Sequence, residues 1–259
     1  MKRILLVTVL ALVLMLAVSV PAMAATNLVA NGDFESGNTG FSSDCNYFDY
    51  LGAYVVGTNP ADHCPYWADF AAHGGNYMMI VNAAWESAPA RQLVWGQTVS
   101  VVPQHTYEWT AWVRATYPDN PAQLVFMAGE DDIVLTKTVD NMNAWTEVSG
   151  TWTASDGMSS VSLRIVDDLQ VAGGDDYALD DISFVDLTPT SFKASGGFTN
   201  VQHGQRVRVS FNVTVSNDET AGMVNMRRED GEYHRGKVQS ATMYADGTVV
   251  MVGAVDRTS

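Results

Sequence analysis

Apolar and polar residues alternate with period two over much of this chain, the pattern of strands that bury one face. Tyr107, Trp109, Ala111 and Val113 fall on one side of such a run, and Val161, Leu163 and Ile165 on one side of another. Late in the chain Val207, Val209, Phe211, Val213 and Val215 repeat the pattern. Helical periodicity is nearly absent after residue 24. Short alternating runs separated by Gly, Asn, Asp and Pro turns predict an all-β protein, a jelly roll or β-sandwich.

Punctuation divides the chain in two. A strand-like run at residues 177–185 leads into Asp186-Leu187-Thr188-Pro189-Thr190, after which Ser195-Gly196-Gly197 opens a fresh set of strands. The expected boundary is near Pro189, giving a β-sandwich over residues 25–188 and a small β-domain over 189–259. The second set supplies too few strands for a sandwich of its own. It is expected to be incomplete, either cut short or completed by a partner such as a further domain of a longer surface protein.

The N-terminus sets the compartment. Lys2 and Arg3 precede an apolar run over residues 4–20, which exits through Pro21-Ala22-Met23-Ala24. This order predicts a secretory signal peptide over residues 1–24, with an uncleaved anchor as the rival reading. The protein is therefore expected outside the cell or at its surface, with no membrane contact in the mature form. Cleavage leaves 12 of the 14 basic residues against 29 acidic ones, a net charge of −17. Such a surface repels phosphate backbones and excludes nucleic acid as a partner, while leaving divalent cations and polysaccharides open. In an exported chain, Cys45 and Cys64, the only cysteines, are expected to form a disulfide.

Catalytic constellations are missing: no G-x-S-x-G elbow, no H-E-x-x-H helix and no phosphate loop. Asp131, Asp132, Asp167 and Asp168 are numerous enough to supply the acid and base of glycoside hydrolysis, but acid pairs in turns are usually solvated. A non-enzyme is expected.

Three blocks carry a family resemblance: Asn27-Leu28-Val29-Ala30-Asn31-Gly32-Asp33-Phe34-Glu35-Ser36-Gly37, Tyr107-Glu108-Trp109-Thr110-Ala111-Trp112-Val113-Arg114, and Tyr177-Ala178-Leu179-Asp180-Asp181-Ile182-Ser183-Phe184. Together, and in this order, they resemble carbohydrate-binding modules of families 4, 9 and 22, which have a galactose-binding-like jelly roll. The resemblance implies a glycan or polysaccharide partner and a structural calcium ion. Its ligands would be the Glu35 and Asp180 carboxylates and the carbonyls of Asp33, Gly74 and Tyr77. Parity agrees in part: Asp180 shares its alternation with Ile182 and Phe184, so it should point inward, where a cation offsets the cost of burying charge.

Glycan binding needs exposed aromatic rings beside polar groups. Trp112 and Arg114 lie on the polar side of their strand, and Trp85 falls in a loop where the family often carries a binding tryptophan. Where related modules place a stacking aromatic, this chain has Ile133. Where they offer a histidine and then a tyrosine, it has Arg164 and Asp167. The aromatic loop at residues 59–70 reads as a packed lid, with a ligand-binding rim as the alternative. Beyond residue 189 the sequence is similar to small β-domains of unassigned role in exported and surface-attached bacterial proteins. A structural or adhesive protein without a sugar site is the competing reading of the whole.

Overall fold

The computed structural model describes residues 26–48, 53–82, 91–169, 171, 173–188, 191–202, 205–216, 219–243 and 249–258. The expected leader, Trp85 and Pro189 lie outside the described residues. The chain divides into two compact units, Ala25–Asp186 and a second that includes Leu187–Ser259.

The first unit contains β1 (Asn46–Tyr47), β2 (Ala53–Gly57), β3 (Met78–Val81), β4 (Gln92–Ser100), β5 (Thr106–Ala115), β6 (Ala122–Ala128), β7 (Asp132–Val139), β8 (Thr146–Thr153), β9 (Ser160–Asp167) and β10 (Tyr177–Asp186). They form a six-stranded sheet, β1-β2-β3-β10-β5-β8, and a four-stranded sheet, β4-β9-β6-β7. One apolar core unites residues from both, and the alternation is the reason. Tyr107, Trp109, Ala111 and Val113 of β5 turn one way, and Trp95, Leu163, Ile165, Leu124 and Phe126 of the smaller sheet join the same core. The Trp109 and Phe126 rings meet edge to face with centroids 5.3 Å apart, a preferred aromatic geometry. This is the expected all-β jelly-roll sandwich.

The outer face of the larger sheet is covered too. Met78 and Ile80 of β3 and Ala178 of β10 form a second apolar cluster with Trp67 and Phe70, from the segment between β2 and β3. The Trp67 indole donates to Asp176, and Ala68 N–H donates to the Thr116 carbonyl. The aromatic loop is therefore a lid. Its placement also explains why the expected disulfide is not formed. Cys45 packs against the main core and Cys64 against the lid cluster, on opposite faces of the six-stranded sheet, and both are free thiols.

The second unit is a single antiparallel sheet of β11 (Phe192–Gln202), β12 (Gln205–Ser216), β13 (Glu219–Arg228), β14 (Tyr233–Met243) and β15 (Val249–Thr258), each strand paired with the next in sequence. Phe192, Val213, Val215, Val238 and Met243 form its small apolar cluster.

Candidate functional site

Asp180 is fully buried, as parity required, but on the other side of the sheet from that expected. A bulge between Asp180 and Ser183, with Asp181 at φ 46°, breaks the alternation of β10. Asp180 consequently shares a face with Ala178, on the lid side, while Ile182 and Phe184 turn into the main core. Its carboxylate accepts backbone N–H groups from His73 (2.7 Å), Gly74 (3.1 Å) and Asp181 (2.8 Å). Glu35 grips the same turn, accepting from the N–H groups of Asn76 (2.6 Å) and Tyr77 (2.7 Å).

The two carboxylates respond oppositely to their surroundings. Burial pushes the Asp180 carboxyl up to about 7 against the pull of its N–H donors. The N–H groups of Tyr77 and then Asn76 hold Glu35 below its ordinary value. Gly75, at φ +62°, leaves no room for a side chain, since a Cβ there would stand 2.4 Å from Glu35 Oε1. What Gly74 and Tyr77 present to these carboxylates is N–H, whereas the expected ligand set used their carbonyls. Among the described residues no three His, Cys, Asp or Glu side chains converge as a metal site, so an ion here needs backbone carbonyls to complete its shell. The donors fit a hard cation in kind: two carboxylates, both with lone pairs beyond those used by the turn.

Trp112 and Arg114, expected to face a groove, lie instead beneath the lid. His73 stacks on Trp112 with centroids 3.8 Å apart and planes 13° from parallel, and its Nδ1 lies 2.6 Å from Asp181 Oδ2. Arg114 sits 3.9 Å over the Phe70 ring and donates through Nε and Nη2 to the Met142 carbonyl. Trp145 meets Phe70 edge to face and donates to the Ala71 carbonyl. These polar and aromatic groups are consumed in holding the lid. His73 and Trp145 escaped the sequence reading because their partners are distant in the chain.

Arg164 and Asp167, three residues apart on β9, point to opposite sides of the smaller sheet. Asp167 faces inward and is buried with Asp175 and Tyr177, so it is not at the same surface as Arg164. Burial, reinforced by the neighbouring Asp167, pushes Asp175 up to about 9, and burial pushes Asp167 up to about 6. Both Asp175 oxygens and the Tyr177 hydroxyl are sealed from solvent around Asp167. Two ionised carboxylates there would be costly, and one proton on the pair removes most of that cost.

Arg164 opens instead onto a shallow cavity of about 480 Å³ on the outer face, together with Ser42, Gln97, Thr98 and Ser162. The row across the four strands is Gly96, Arg164, Met127 and Ile133. At Gly96 the Leu93 and Ser42 side chains close to 3.3 Å of where a Cβ would stand, Met127 is buried, and Ile133 is half exposed at the far strand. Of the lining residues only Phe41 is aromatic, and it is engaged with Phe34 and Tyr54. The Gln97 amide is taken up by the backbone of Ala30 and Gly40, so the cavity offers hydroxyls and one guanidinium, without a bare ring.

The family described as a carbohydrate binding domain, of the 4/9 type, matches residues 26–168, more than half of the chain, and the protein belongs to it. Among solved structures the chain is similar to the CBM22-1 xylan-binding domain of Paenibacillus barcinonensis Xyn10C, at 18% identity over 64% of this chain and 97% of that one, with a TM-score of 0.42. It is also similar to a family 16 carbohydrate-binding module, at 20% identity over 61% of this chain and 99% of that one, with a TM-score of 0.37. No curated protein matches the chain.

Proposed function

We propose that the sandwich unit is an exported, non-catalytic module that binds a polysaccharide in the cavity beside Arg164. The observation that carries this reading is the combination of family membership with the polar depression formed by Ser42, Gln97, Thr98, Ser162 and Arg164. Hydroxyl and guanidinium groups of this kind pair with sugar hydroxyls. Binding without reaction is favoured by the lining itself, which holds no carboxylate among the described residues, whereas glycoside hydrolysis ordinarily needs two. Export rests on the basic, apolar and small-residue order of residues 1–24.

Affinity electrophoresis against a panel of soluble polysaccharides tests the reading: at least one should retard the protein, with no release of reducing sugar. Retardation by none would remove glycan binding and leave a structural role.

A calcium ion at the turn of residues 73–77 belongs to the same proposal. Glu35 and Asp180 would supply carboxylate oxygens, and Asp33, Gly74 and Tyr77 carbonyls. The ion would offset the charge that Asp180 buries. Its role would be to stabilise the fold, since the lid and not the cavity surrounds it.

A further inference from the structure

We infer that the glycan bound at this cavity is acidic, a uronate-bearing polysaccharide whose carboxylate pairs with Arg164; this rests on the cavity being the glycan site. The first unit carries 22 acidic residues and only four basic ones, Arg91, Arg114, Lys137 and Arg164. Arg91 pairs with Asp168 at 3.2 Å, and Arg114 is bound into the lid by Met142 and Phe70. Lys137 lies on β7, away from the cavity lining. Arg164 is the one cation of the cavity, and among the described residues it has neither an ion-pair nor a hydrogen-bond partner.

In so acidic a unit an unpaired, half-buried guanidinium is unexpected unless something outside the chain completes it. A guanidinium is a planar fork that matches a carboxylate through two parallel N–H bonds. Ser162, two residues back along β9, and Thr98, opposite Ser162 on β4, stand beside it, placed to meet the hydroxyls of the same sugar ring. The lining also explains why charge would have to act. With no free aromatic ring in the cavity, a neutral sugar forfeits stacking and keeps hydrogen bonds alone, which are worth little net in water. The net charge of the unit does not oppose this at working ionic strength. Screening confines the surrounding carboxylates to about 8 Å at physiological salt, while a contact pair lies well inside that distance.

The experiment compares polygalacturonate, alginate and glucuronoxylan, each beside its carboxyl-reduced, uncharged form, with the full chain and its Arg164→Gln and Arg164→Lys variants. Melting curves confirm that the variants fold. At least one polyuronate should bind at least tenfold more tightly than its reduced form. Arg164→Gln should abolish that preference, and Arg164→Lys should retain part of it. Calcium bridging between acidic protein and polyanion would ignore Arg164, so a preference that survives Arg164→Gln overturns the inference. Equal binding of charged and reduced forms, or binding of neutral polysaccharides alone, overturns it while leaving glycan binding standing. Retention by no polysaccharide, charged or neutral, would overturn both together.

Discussion

The two units of this chain solve the burial problem differently. The sandwich encloses a core between two sheets and roofs the outside of the larger one with a lid, so its strands supply one buried face and in places two. The second unit is one sheet with a cluster of five buried residues. Charge follows the same division: 22 acidic against four basic residues over Ala25–Asp186, but seven against eight over Leu187–Ser259. All the buried carboxylates among the described residues, Asp167, Asp175, Asp176 and Asp180, belong to the sandwich. A thick core can shelter acids by giving them partners or protons, and a single sheet cannot. The sandwich should therefore carry both the sensitivity to core truncation and the sensitivity to pH.

The largest test is Trp109→Ala, which empties a fully buried site at the meeting of the two sheets. A loss of about 3–5 kcal/mol is expected by thermal or urea unfolding. Phe192→Ala in the second unit should cost less, and an equal or greater loss there would break the comparison.

Next in size is calcium removal. At calcium 100-fold above its dissociation constant, chelation should cost about 2.7 kcal/mol, seen as a fall of several degrees in Tm. Asp180→Ala should remove the response to chelator. An unchanged Tm with no calcium in elemental analysis would eliminate the site.

A smaller effect follows from Asp167 and Asp175. Both have folded values above the ordinary carboxylate range, so the folded state holds protons that the unfolded state has released. Their contribution to stability is complete below about pH 4 and declines as pH rises toward about 9, by at most about 1.4 kcal/mol per pH unit for one proton. Asp175→Asn should flatten that decline between pH 5 and 8. A parallel pH profile for the variant would show that the pair does not titrate in this window.

The smallest effect concerns the thiols. Reductant should leave Tm unchanged, and thiol titration after denaturation under non-reducing conditions should find two. Burial pushes Cys45 up to about 11, so in the native protein it should react slowly.

Much of the sandwich was legible because alternation is local: the inward faces of β5 and β9 could be read residue by residue. The convergence of Glu35 and Asp180 on the turn of residues 73–77 was also legible, from the order of the three resembling blocks. The bulge at Asp181 was not, since no glycine or proline marks it, and it moved Asp180 to the opposite face from Ile182. The covering of Trp112 was equally hidden, because His73 reaches it from 39 positions away and alternation distinguishes only the two faces of a strand. Arg164 and Asp167 were assigned together from the resemblance, although a spacing of three in a strand separates them. Asp175 gave no signal, because its burial depends on strands paired across the whole unit.

The position of β10 has a consequence for how the protein is made. The last strand of the sandwich to leave the ribosome is an interior strand of its larger sheet, flanked by β3 and β5. At about 5–20 residues per second, β3 waits on the order of 5–20 s for the partner about 100 residues downstream. During that interval Met78–Val81, apolar throughout, has no neighbour on one edge, a template for mispairing that a carrier of unfolded chains would have to shield. The second unit has no such wait, because every strand there adds to the one just synthesised. A fragment ending at residue 168, the limit of the family match, would lack this interior strand altogether, so expression of an isolated binding module should extend through Asp186.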